Sequence, residues 1–181
     1  MDQYVTLPQD ELLLFAEKIN MKSFTKGQFF TQIGDSHDNI AFVQSGVFKV
    51  YYLTSDGRQV TRNFCTKGKP VGSYVTILQK KSAHVNIQAT EDSVVHMTTY
   101  SHLQSFFTKG IAWECLGRKI AEEHYISREK REHQLLTLDA TQRYQCFKED
   151  FPGLENRVNQ GDIASYLGID PATLSRIRRK S

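Results

Sequence analysis

Residues 160–179 read QGDIASYLGIDPATLSRIRR, and the order of small, apolar and polar residues fits two short helices joined by a tight turn. Ile163, Leu167, Ile169, Leu174 and Ile177 fall on the five positions that such a unit buries. Ala164 stands where the helices cross closely, a place without room for a larger side chain. Gly168 lies at the turn, where a left-handed backbone costs glycine little. Asp170 is a good N-cap for the second helix, and Pro171 suits its first position, where a missing N–H is no loss. The second helix then runs into Arg176, Arg178, Arg179 and Lys180. Two readings fit this pattern. One is a helix-turn-helix whose second helix enters the major groove of DNA; the other is an ordinary helical hairpin with a basic end.

The distribution of charge bears on that choice. From Asn156 to Ser181, five basic residues (Arg157, Arg176, Arg178, Arg179, Lys180) face two acids, Asp162 and Asp170, an excess equal to the +3 of the whole chain. From Ile111 to Leu136, five bases and five acids cancel. A positive excess confined to one end is the footprint of a phosphate-contacting surface.

At 181 residues, with 39% hydrophobic and 24% charged residues, the chain is long enough for one sizeable core or for two small domains joined by a helix. No apolar run approaches the roughly 18 residues that span a bilayer, so no membrane segment is expected. The N-terminal MDQYVTLPQDELLLFAEKI lacks the basic start and small-residue cleavage site of a signal peptide and reads as an amphipathic helix. Cys65, Cys115 and Cys146 are odd in number and widely spaced, which suits reduced thiols in the cytoplasm. His37, His84, His96 and His102 are scattered without a His-x-His pair, so neither a metal site nor a metal enzyme is expected. No nucleophile motif or Walker loop is present, and no cofactor is expected.

Three parts follow along the chain. Residues 7–20 read as a helix. Residues 24–100 read as all-β, with short runs of Val, Ile, Phe, Tyr and Thr between glycines; Ser55-Asp56-Gly57-Arg58 turns the clearest hairpin. The regular spacing predicts a barrel or roll. Residues 111–136 read as a long helix with Trp113, Leu116, Ile120 and Ile126 on its apolar side, and residues 139–149 as a further helix broken at Phe151-Pro152-Gly153. The long helix either pairs with a second copy through Trp113, Leu116 and Ile120 or packs on its own roll; Glu123, Ser127 and Lys130 interrupt any longer seam.

The order of helix, glycine-punctuated roll, long helix and two-helix end resembles the Crp-Fnr family of bacterial transcription regulators. The resemblance is carried most specifically by IASYLGIDPATLSRIRR and next by GSYVTILQKKSAHVNIQATEDSVV, which is similar to a phosphate-binding cassette. It implies an α+β fold: a cyclic-nucleotide-binding-like β-roll (double-stranded β-helix) over residues 1–110, a dimerisation helix over 111–136 and a helix-turn-helix over 137–181. It further implies a homodimer on double-stranded operator DNA. Thr54–Arg58 and residues 79–82 are exposed candidates for contact with RNA polymerase or a small-molecule effector. The sequence ends at Ser181, so no β-wing is expected after the second helix.

The departures from the family pattern concern the ligand and the bases. Members that bind cyclic AMP carry an acid after a glycine and an arginine before Ser-Ala; here Gly72 is followed by Ser73, and Lys80-Lys81 precedes Ser82. A lysine neutralises a phosphate but cannot form a guanidinium fork. Each affected bond is worth about 1.5–3 kcal/mol, so together they weaken binding roughly 10²-fold or more, and cyclic AMP is not the expected effector. Gly72, Ser73, Lys80, Lys81 and Ser82 remain either a pocket for another anion or, at the lysines, a solvated loop. On the second helix, Pro171 and Ala172 carry no groups for base readout, which leaves Thr173, Ser175 and Arg176 to face the groove. Arg176 suits a base edge, and Arg178, Arg179 and Lys180 suit phosphates or the helix dipole. The alternative to a DNA-binding regulator is a ligand-binding or protein-interaction module whose basic helix has no DNA role.

Overall fold

Runs of β-branched and aromatic residues between glycines build two four-stranded antiparallel sheets. The computed structural model describes residues 5–180; residues 1–4 and 181, which open and close the expected domains, lie outside the described residues. The strands are β1 (Asn20–Phe24), β2 (Phe29–Thr31), β3 (Asn39–Ser45), β4 (Phe48–Leu53), β5 (Gln59–Cys65), β6 (Pro70–Val71), β7 (Asn86–Ala89) and β8 (Ser93–Thr99). One sheet has the order β1-β8-β3-β6 and the other β2-β7-β4-β5. Phe24, Val43 and Val95 from the first sheet meet Phe48, Val50 and Ile87 from the second in one core, which makes a roll.

Glycines make its tight corners. Gly46 (φ +91°) turns β3 into β4, and a Cβ there would lie 2.1 Å from Ser93 Oγ, so no other residue fits. The β4–β5 hairpin closes from Leu53 opposite Gln59 through Thr54–Arg58, with Gly57 at φ +81° as the Asp-Gly signal predicts.

The helices are α1 (Gln9–Ala16), α2 (Tyr74–Gln79), α3 (Tyr100–Phe107), α4 (Ile111–Thr137), α5 (Ala140–Asp150), α6 (Gln160–Leu167) and α7 (Pro171–Lys180), with one 3-10 turn at Leu154–Asn156. Helix α1 is shorter than the 7–20 expected, because Pro8 sets its N-cap and β1 begins at Asn20. Helix α2 interrupts the stretch expected to be wholly β. Helix α5 starts on a capping box: Asp139 Oδ1 accepts from Gln142 N at 2.9 Å, and Gln142 Oε1 accepts from Asp139 N at 3.0 Å.

Of the two packings left open for the long helix, a second copy or its own roll, Trp113 and Leu116 take neither alone: they are wholly buried within the chain against Phe15 of α1 and Phe106 of α3, and Ile120 packs at the margin of the same cluster. Trp113 Nε1 also donates to Glu11 Oε2 at 2.5 Å. The spacing of three and four is therefore that of an intrachain face. Farther along α4, Tyr125 and Ile126 are exposed, so Ile126 does not join the buried side.

The core of the last three helices does not stop at the expected boundary at residue 137. Phe147, Leu154, Ile163, Leu167 and Leu174 share one cluster with Val47 and Phe64 of the roll. The Phe64 ring lies 6.1 Å from Phe147, 5.9 Å from Phe151 and 5.7 Å from Tyr166. Removing a buried phenyl ring costs about 3–5 kcal/mol, and each kcal/mol moves the midpoint of a chain this size by about 2–4 °C. Phe64→Ala is expected to lower the melting temperature by roughly 6–20 °C in calorimetry; an unchanged midpoint would show that the roll and the helices do not share this core.

Candidate functional site

The two-helix unit is set up by local chemistry. Asn159 caps α6 by accepting from Gly161 N at 2.9 Å. Gly168 ends that helix at φ +65°, ψ +37°, and Ile169 N donates back to Ala164 O at 3.0 Å. Asp170 then caps α7, its carboxylate accepting from Thr173 N at 2.8 Å and Thr173 Oγ1 at 2.7 Å. The side-chain and then the backbone bond from Thr173 hold the Asp170 carboxyl below its usual value. Ile163, Ala164, Leu167, Leu174 and Ile177 are buried, whereas Ile169 is only half-buried.

Outward from this core, Ser175, Arg176, Arg179 and Lys180 are exposed. Arg176 Nη2 donates to Thr173 Oγ1 at 2.8 Å, so Asp170, Thr173 and Arg176 form a short relay along the first turns of α7. That relay occupies the Thr173 hydroxyl. Arg178 is half-buried and donates from Nη1 to Glu155 O at 3.4 Å. Arg157, counted in the basic excess, forms an ion pair with Glu91 between β7 and β8 and is spent within the chain.

The roll holds this unit from behind. In the second sheet β5 is the edge strand, and α6 covers that edge. Ser165 Oγ accepts from Thr61 N at 2.9 Å and donates to Gln59 O at 3.2 Å. Lys49, only 6% exposed, reaches Asp162 Oδ1 at 2.6 Å and Gln59 Oε1 at 2.9 Å, with the Tyr51 ring 4.7 Å away. Arg131 of α4 lies 3.9 Å over the Tyr166 ring. Burial pushes the Tyr166 phenol up to about 12 despite that cation. Sequence reasoning missed Lys49, Asp162 and Ser165 as a set, since their partners are about a hundred residues away and no local pattern joins them.

The residues expected to share a ligand pocket are split. Gly72 and Ser73 line a cavity of about 140 Å³ between the roll and α4. Lys80, Lys81 and Ser82 do not: Lys80 ends α2 in a left-handed conformation (φ +51°), and all three are exposed away from the cavity. Ser73 Oγ is bonded to Thr76 Oγ1 at 2.6 Å. The cations at this cavity are Arg62 of β5 and Arg128 of α4, which the sequence reading did not single out. A larger cleft, about 730 Å³, runs between α4 and the roll past Leu103, Ile120 and Ile126. Among the described residues no group of three His, Cys, Asp or Glu is placed to hold a metal ion, and no helix is long and apolar enough to cross a membrane.

Residues 21–109 match the cyclic nucleotide-binding domain. Solved structures of Crp-Fnr-type regulators share the fold over nearly the whole chain. FixK2 from Bradyrhizobium japonicum is 21% identical, with a TM-score of 0.76 over 90% of this chain and 83% of that one. The cyclic-di-GMP-responsive global regulator CLP of Xanthomonas campestris is 15% identical, with a TM-score of 0.71 over 96% of this chain and 91% of that one. A CooA variant from Carboxydothermus hydrogenoformans is 18% identical, with a TM-score of 0.72 over 97% of this chain and 85% of that one. No curated protein matches the chain in sequence.

The Lys49–Asp162 pair gives the site its own test. Removing one partner of a buried pair strands the other charge and costs about 3–5 kcal/mol. Asp162→Ala is expected to lose an amount in that range, read as a lower urea midpoint at unchanged m-value. A loss within about 0.5 kcal/mol, typical of a surface site, would mean that Lys49 is not held by α6.

Proposed function

We propose that the chain is a dimeric, sequence-specific DNA-binding transcription regulator of Crp-Fnr type, acting in the cytoplasm and not as an enzyme. In this reading α6 and α7 are a helix-turn-helix, and residues 171–180 enter the major groove. The observation that carries it is the division of α7 into two faces: Leu174 and Ile177 are buried on α6, while Ser175, Arg176, Arg179 and Lys180 face solvent. Residues up to 110 are the sensing part, α4 the connecting helix, and residues from 137 onward the DNA-binding part.

Arg176 is the base reader. A guanidinium offers two parallel donors to guanine O6 and N7, and its hydrogen bond to Thr173 restrains it before DNA arrives. Ser175 contacts bases or phosphates beside it. Arg179 and Lys180 contact phosphates, with Arg178 contributing less because Glu155 O holds it. A second copy meets the exposed part of α4 around Tyr125 and Ile126, since Trp113 and Leu116 are enclosed in their own chain. RNA polymerase contacts fall to the exposed Thr54–Arg58 turn and the 79–82 loop. Cyclic AMP is not the effector, because the cassette offers neither an acid after Gly72 nor an inward-facing cation at Lys80 or Lys81.

Genome-wide recovery of bound DNA supplies the operator, and titrations at several salt concentrations then test the residues. Affinity should fall steeply as salt rises. Arg176→Ala is expected to narrow the gap between operator and random DNA by about 1–3 kcal/mol. Arg179→Ala should weaken both alike and lower the salt slope by about 1. An unchanged ranking of operator variants after Arg176→Ala refutes the base contact, and the absence of any salt-sensitive binding refutes the reading as a whole.

A further inference from the structure

The 140 Å³ cavity is lined by two guanidiniums, Arg62 and Arg128, and two imidazoles, His84 and His124, and its lining contains no Asp or Glu. Arg62 donates from Nη2 to His124 Nε2 at 3.3 Å. Among the described residues, neither Arg62 nor Arg128 forms an ion pair with a carboxylate. An arginine cannot shed its proton to escape an unfavourable setting, and a cation drawn from water without a counter-charge is costly. Burial accordingly pushes the Arg62 guanidinium below its ordinary value, with Arg128 adding to the effect. Burial, then Arg62 and Arg128, hold His124 low as well, which keeps it neutral and able to accept from Arg62. Tyr52 and His84, both on the lining, lie with ring centroids 5.9 Å apart and planes 19° from parallel.

We propose that this cavity binds a small organic oxyanion, a carboxylate or phosphate on a compact flat body, with Arg62 and Arg128 supplying the opposing charge. Its volume is close to the about 150 Å³ that takes up a single benzene ring. A guanidinium presents the paired donors that a carboxylate or phosphate fits, and the Tyr52–His84 stack receives the flat part. The opposing charge thus comes from β5 and α4 and not from the cassette lysines Lys80 and Lys81, which face away, while Gly72 and Ser73 of the cassette line the cavity. The inference deepens the effector side of the proposed regulator, but it rests on the cavity's own charge and is tested without DNA, so either can fail alone.

Histidine ring resonances of the full chain, with His124 assigned through His124→Gln, give a readout local to the cavity. The probes are benzoate and inorganic phosphate, with cyclic AMP as the larger comparison, all at one ionic strength balanced with chloride. Benzoate or phosphate should shift the His84 and His124 signals saturably. The bound anion should also raise the His124 titration midpoint, since it opposes the positive field of Arg62 and Arg128 while Tyr52, Tyr74 and His84 complete the surroundings. A response to benzoate alone assigns the carboxylate class, and a response to phosphate alone assigns the phosphate class. Arg62→Gln should weaken binding about tenfold or more. Arg128→Ala, at an exposed position, should weaken it with an unchanged melting temperature, which keeps the test valid if the Arg62 variant folds poorly. No shift with either small anion, or equal shifts in wild type and Arg128→Ala, overturns the proposal. Tighter binding of cyclic AMP than of both small anions also overturns it.

Discussion

The edge of β5 has to be covered. An edge strand presents unpaired N–H and C=O groups that invite pairing with another chain, and here Thr61 N and Gln59 O meet the single hydroxyl of Ser165. Once α6 lies on that edge, Asp162 is delivered to the buried Lys49 ammonium, and Tyr166 is delivered to Phe64. Neither charge of the pair is favourable without the other. The docking therefore joins a backbone requirement, an aromatic core and an ion pair at one contact, and the direction in which α7 presents its cations follows from it.

The same strand and the long helix also serve the small cavity. Arg62 follows Thr61 on β5, so neighbouring residues face the cavity and the α6 contact. On α4, His124 and Arg128 line the cavity, while Arg131 lies over Tyr166. Cavity and two-helix unit are therefore joined by one strand and one helix, without an intervening loop. Such contiguity becomes regulation only if a ligand binds two arrangements of β5 and α4 with different affinity. The packing of Phe64 against three aromatic rings gives β5 little room for intermediate positions against α5 and α6.

What the sequence made legible was local. The α6 and α7 boundaries follow from Gly168, Asp170 and Pro171, because caps and left-handed turns are decided by residues within one turn of each other. The 111–136 helix is found at Ile111–Thr137, and the Asp56-Gly57 hairpin stands as read. Periodicity says that Trp113 and Leu116 are buried, but not which surface buries them, and here it is α1 and α3. Helix α2 is built from β-favouring Tyr, Val, Thr and Ile, so propensity pointed the wrong way and tertiary context prevailed. Arg62, Lys49 and His124 were invisible for a similar reason: each owes its role to partners that only the fold brings within reach.

Charge placement separates the cations of the C-terminal end from one another. Arg157 is paired with Glu91 and Arg178 is held by Glu155 O, so the basic excess seen in sequence overstates what is free to meet a partner. Arg179 and Lys180 lie in the last turn of α7, where helix carbonyls favour cations whether or not DNA is present. Arg176 sits a turn earlier, exposed, and tied through Thr173 to the capping carboxylate of Asp170. The C-terminal dipole falls off within the last turn and gives less account of a cation there. Of the basic residues on α7, Arg176 is thus the one held by the N-terminal cap of the helix and not by its C-terminal carbonyls.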